Sequence, residues 1–307
     1  MNRSLDADAD TSSRQPIARR AAQRWLATGV WGAAGLADFV CVNQALESRS
    51  ATASTVIAVT LWLGFAIGLV ATLVPSPLGL TIVRLLAPLT VVVAVASWVM
   101  GADLAAGAGA LAITVVATLA ILGASLGETF VQGSAYGDER RLPLRPPAAF
   151  LLPLAIVWVL WTCAVVAAVG MLASGRPLWG FGLAVVAICS GWLVATRAHR
   201  LSRRWLVLVP SGVVIHDAVV LGETLMMSRP TIRNAQLALA DTEAADLTGP
   251  AAGHAVQLTL SELATVVFAP TRAAPQGTAI HAKSLLIAPT RPGRALAAAA
   301  DFGYAVG

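Results

Sequence analysis

The chain has 307 residues, 57% of them hydrophobic and only 12% charged, with a mean hydropathy of +0.75 and a net charge of +5. An ordinary soluble domain is about a quarter charged, and a chain of this length closes only one or two cores, so so much apolar surface excludes a soluble globular protein. A pI near 9.8 would fit a nucleic-acid binder, but the charge placement argues against one: from Trp205 onward seven acidic side chains face six basic ones, and the excess base lies at the ends of apolar runs.

In chain order, residues 1–24 are polar and lack an apolar centre, which predicts a disordered tail and no cleaved signal peptide. Six apolar runs follow, at Trp25–Leu46, Thr52–Val74, Thr81–Met100, Leu104–Leu126, Phe150–Ala173 and Leu178–Thr196. Each approaches the roughly 20 residues that a helix needs to cross a bilayer core. Only helices satisfy their own backbone in lipid over such lengths. The expected membrane domain is therefore a six-helix unit over residues 25–200, with a loop over 127–149. Placing both termini in the cytoplasm puts thirteen arginines on the inner side and leaves only Arg49 and Arg176 outside, as the inside-positive bias requires.

After Arg204 the period changes. WLVLVPSGVVIHD reads as two strands around a Pro-Ser-Gly turn, and GETLMMS as a third. HAVQLTL alternates cleanly, and ATVVFAP and AIHAKSLLIAP read as two further strands. Thr290 is placed to cap a final helix that admits Pro292 in its first turn. Residues 201–307 are thus expected to form an antiparallel β domain closed by one C-terminal helix, long enough to fold on its own.

This strand series, and above all Ser284–Ala300 (SLLIAPTRPGRALAAAA), resembles bacterial pleckstrin-homology-like domains, in which a last strand, a proline-containing turn and a helix plug an open barrel. Val131–Pro147 and Arg203–Asp217 resemble a group of uncharacterised actinobacterial integral membrane proteins. The resemblance implies a multi-pass protein of the bacterial plasma membrane whose β domain binds phosphoinositides or proteins, although no basic strand-loop cluster here matches a phosphoinositide site.

Candidate functional residues fall in two places. Asp38 is the one carboxylate deep in an apolar run, where a charge costs about 2.5–3.5 kcal/mol, and so it is expected to face the bundle or an interface. The loop after the fourth run gathers Glu128, Gln132, Tyr136, Asp138, Glu139, Arg140 and Arg141 between glycines that permit tight turns. It is expected either to dock the β domain or a ligand, or to serve as a solvated topological signal. Gly64 and Gly68 form a GxxxG pair suited to close helix packing within the protein or between copies. Cys41, Cys163 and Cys189 lie apart in apolar runs, the four histidines lack metal spacing, and no nucleophile–base motif occurs. No metal, cofactor or enzymatic role is expected. The reading is a non-enzymatic membrane scaffold whose β domain meets a protein or lipid headgroups; the alternative is a small transporter or channel using Asp38 and the 128–141 loop.

Overall fold

The computed structural model describes residues 3–272 and 274–307, with side chains described at Ala22 and from Trp25 onward. Among the described residues six helices are long and apolar enough to cross a membrane: the Trp25–Leu46 part of α1 (Arg3–Leu46), α2 (Ala51–Leu73), α3 (Pro77–Val99), α4 (Leu104–Leu122), α6 (Ala148–Ala173) and α7 (Pro177–Ser202). Their starts are set locally. Ser50, Ser76 and Asp103 each accept the backbone N–H three residues on, and Pro77 stands where a helix has no N–H to lose. Much of the stretch expected as a disordered tail enters α1 from Arg3, and its Ala18–Arg24 run is built of good helix formers.

The chain divides into two compact units. The first comprises Met1–Gly133 with Val165–Val185. In it α1 to α4 pack on one another, and α1 presents a stripe of Ala27, Trp31, Ala34, Asp38, Cys41 and Ala45, three to four residues apart, with Val42 beside it, to the interior. Large rings seat against glycines. The Trp31 indole lies where a Cβ on Gly68 would come within 2.0 Å of it, and Phe65 occupies the space beside Gly35. Trp31 Nε1 also donates to the Phe65 carbonyl at 3.0 Å. Gly68 therefore spends its small size inside the unit, while Gly64 has open space around it.

The region expected as a loop over 127–149 is different. Gly123 turns extended (ψ 148°) and ends α4 at Leu122, four residues before the apolar run ends. A nine-residue helix, α5 (Ala124–Gln132), then packs on α1, α3 and α4 with Leu126 to Gln132 all buried. Leu126 and Phe130, four residues apart, share one face and Val131 is buried beside them, which favours a helix that inserts.

The second unit comprises Ser134–Ala164 with Val186–Gly307. One sheet runs in the order β1 (Arg140–Pro143), β2 (Trp205–Val209), β3 (Gly212–His216), β4 (Leu225–Ser228), all antiparallel. The β1 strand comes from the expected loop, so the domain does not begin at residue 201 but draws in a strand from before α6. A single 3-10 turn, Arg229–Thr231, leads to the second sheet. That sheet has the order β5 (Ile232–Leu237), β7 (Val256–Phe268), β8 (Thr278–Ile287), β6 (Ala245–Asp246). Two corrections follow. HAVQLTL and ATVVFAP are one long strand, β7, whose register shifts between Thr259 and Ala264, so a bulge bends a strand that the sequence reads as two. The sheet is also mixed, because β6 runs parallel to β8. A final helix, α8 (Pro292–Asp301), buries Ala295 and Ala299 in the core with Leu206, Leu258 and Ile287.

One polar joint sits inside this domain. Arg204 is 1% exposed. Its Nε donates to Asp217 Oδ1 at 2.8 Å and its Nη2 to Oδ2 at 2.6 Å, while Nη1 reaches the Arg145 carbonyl and Nη2 also reaches that of Thr248. Asp217 Oδ1 in turn accepts the N–H groups of Val219 and Val220. Backbone bonds stitch the same region: Leu144 N–H to Arg204 O, Arg145 N–H to Ala288 O, and Thr290 N–H to Pro143 O.

Candidate functional site

The eight residues singled out in the sequence occupy three places. Asp38 lies in the interior seam of α1, 9% exposed, and its Oδ1 has no hydrogen-bond partner among the described residues. Glu128 and Gln132 are buried on α5 in the first unit. Tyr136, Asp138, Glu139, Arg140 and Arg141 belong to the second unit, at and just before β1. The loop is thus no single cluster: its first part plugs the helical unit and its second part joins the sheet.

The second part is closely held. Gly137 takes a left-handed conformation (φ 64°), which turns the chain back on itself. Glu139 Oε1 accepts the Tyr136 N–H at 2.6 Å and Arg141 Nε at 2.9 Å, and Arg141 Nη1 donates to Ser134 Oγ at 3.0 Å. The carboxylate therefore bridges the start of the turn and the strand that follows. Tyr136, whose backbone is fixed in this way, carries a side chain that is 91% exposed.

A cross-strand ladder continues from the turn. Arg141 on β1 lies over the Trp205 ring on β2, with 5.5 Å to the centroid. Trp205 stacks on its β3 partner His216, with centroids 5.0 Å apart. His216 Nδ1 is 3.2 Å from Thr224 Oγ1, and its Nε2 is buried without a hydrogen-bond partner among the described residues. Burial first, and then the Arg203 charge, push the imidazole below its ordinary value; Asp217 pulls it back and Arg141 lowers it again. Trp205 and His216 were not singled out in the sequence. A signal was there: a two-residue turn at Pro210-Ser211 pairs Val209 with Gly212 and so places Trp205 opposite His216.

The two ends of the α1–α4 bundle are also built. Where α1 ends and α4 begins, Gln44 Nε2 donates to Asp103 Oδ2 at 2.8 Å and Gln44 Oε1 accepts the Asp103 N–H at 3.1 Å. The Ala106 N–H and then the Gln44 amide hold the Asp103 carboxyl below the usual carboxylate range. At the opposite end Arg84 Nη2 reaches the last carbonyls of α4, Leu122 and Gly123, and lies over Gly127. Among the described residues no three His, Cys, Asp or Glu side chains gather as a metal site. Comparison with known proteins finds no match to a family model, a curated protein or a solved structure.

Proposed function

We propose that the protein is a non-enzymatic scaffold of the bacterial plasma membrane, with both termini cytoplasmic, whose β domain engages a cytoplasmic or membrane protein, or lipid headgroups. Six long apolar helices support membrane insertion. The arginine distribution supports the orientation. A pleckstrin-homology-like identity for the β domain draws support from two four-stranded sheets and a final helix seated in their core. Self-association through the α2 face remains part of this reading at Gly64, which is open, and no longer at Gly68, which Trp31 covers.

The observation that carries the reading is the Tyr136 turn. An exposed aromatic side chain on a backbone already fixed by Glu139 loses little conformational freedom on binding, and tyrosine is among the residues that dominate protein interfaces. Four residues after Tyr136 the chain enters β1, so the aromatic stands on a rigid sheet. The test is to replace Tyr136 in the full chain with a photoreactive benzoylphenylalanine and irradiate native membranes. A protein or lipid adduct of reproducible mass is expected, weakened by Glu139→Ala. No reproducible adduct, with the β domain still protected from hydrogen exchange, overturns the reading.

A further inference from the structure

The buried face of α1 is apolar except at Asp38, and its neighbours have no cation to offer there. On α1 itself the nearest titratable side chain on the same face is Cys41, one turn on, whose Sγ lies 4.0 Å from the Ala94 carbonyl of α3. The α2 helix contains no titratable residue. The α3 helix contains only Arg84, which is committed to the carbonyls that end α4. The α4 helix contains none, and the Asp103 that caps it is tied to Gln44. The α5 helix brings Glu128, on the Arg84 side of the bundle. Arg49, past the end of α1, donates to the Met100 carbonyl.

Among the described residues, a carboxylate in such a place has no counter-charge and, at Oδ1, no donor. A carboxylic acid is far better suited to it, because it carries no net charge and its hydroxyl can donate to a helix carbonyl. The acid also has a short way to water. Asp38 is six residues from Gln44, about 9 Å along the helix, and thirteen from Trp25, about 20 Å. Along the shorter way the seam is lined by Cys41 with Ala37, Ala94, Ala102 and Ala110. The buried hydroxyl of Ser97 lies one turn beyond Ala94 on α3, toward that same end. These small side chains leave little bulk between Asp38 and the polar Gln44–Asp103 pair.

We propose that Asp38 is a proton-binding site inside the four-helix bundle, loaded and unloaded through the end closed by Gln44 and Asp103. The inference is independent of the scaffold reading. Its chemistry is a single proton transfer: the carboxylate takes a proton from water at the Gln44–Asp103 end and returns it there, with no other bond made or broken.

Infrared difference spectra of the full chain in lipid nanodiscs, switched between neutral and alkaline buffer, test it. The wild type is expected to show a protonated carboxyl band at neutral pH that disappears in alkali. The band should persist in Asp103→Asn and Glu128→Gln and be absent from Asp38→Asn. Gln44→Leu should slow its loss after a pH jump several-fold. A wild type without the band at neutral pH, or a band that vanishes with Glu128→Gln, overturns the site, even if Asp38→Asn fails to accumulate. An unchanged rate in Gln44→Leu overturns the assigned way in.

Discussion

Asp217→Ala strands the Arg204 guanidinium inside the β domain. Its cost follows from what remains around that group. Arg204 keeps two neutral acceptors, the carbonyls of Arg145 and Thr248, and loses both carboxylate oxygens. At 1% exposure, water cannot replace them without opening the domain. Leaving one member of a buried ion pair uncompensated costs about 3–5 kcal/mol. The reverse substitution, Arg204→Met, should cost less, roughly 1–3 kcal/mol, because Asp217 keeps the Val219 and Val220 N–H groups as donors. The double variant removes the stranded charge and should recover part of the Asp217→Ala loss. Hydrogen exchange of the full chain, followed by mass spectrometry on the β2 and β3 peptides, reads these differences as opening free energies. Asp217→Ala should speed their exchange roughly a hundred- to several-thousand-fold. Acceleration below about tenfold, or a double variant that exchanges as fast as Asp217→Ala alone, would refute the view that a buried pair locks this domain.

Lowering pH should destabilise the β domain through His216. Its folded value lies below the ordinary 6.5, so the unfolded chain binds the extra proton; the stability is complete above that ordinary value and is lost as pH falls through it toward the folded value. Domain melting followed across this window should show a slope that His216→Gln reduces. Gly68→Ala should destabilise the helical unit by about 1–3 kcal/mol, since its Cβ falls on the Trp31 ring, whereas Gly64→Ala should be close to neutral; thermal unfolding in detergent distinguishes them. Glu139→Gln should accelerate amide exchange at Tyr136 and weaken the hold on Arg141, and equal exchange in the two proteins would show that the turn is held by something else.

What could be read in the sequence was what repeats over short range. The apolar run that ends at Leu46 ends with α1, the WLVLVPSGVVIHD hairpin lies where the local pattern puts it, and the final helix forms there too, although its N-cap is Arg291 and not Thr290. What could not be read depends on contacts far along the chain. Nothing near Arg140–Pro143 announces a strand, because its partner is Trp205–Leu208, more than sixty residues on. The break at Gly123 was hidden in a continuous apolar run, and Glu128 and Gln132 made a buried helix look like a solvated loop. The bulge in β7 is likewise fixed by its pairing with β8. Of the candidate site, Asp38 stood out because burial of a carboxylate is costly wherever it occurs. The Arg141–Trp205–His216 ladder stayed hidden because β1 was missing from the picture.

The borrowed strand also decides how this domain can be handled. A fragment cut at residue 201, where composition alone would place the boundary, leaves β1 behind. It would carry a bare WLVLV edge in place of the β1–β2 ladder. An apolar edge of that kind pairs with other chains, so such a fragment should come out of expression as aggregate. Fusing residues 134–147 ahead of Arg203 through a short flexible connector restores the missing edge, because Pro143 and Trp205 are already ladder neighbours. A fragment that keeps the β1–β2 ladder is therefore a rejoined one, made from two stretches that the natural chain separates by α6 and α7.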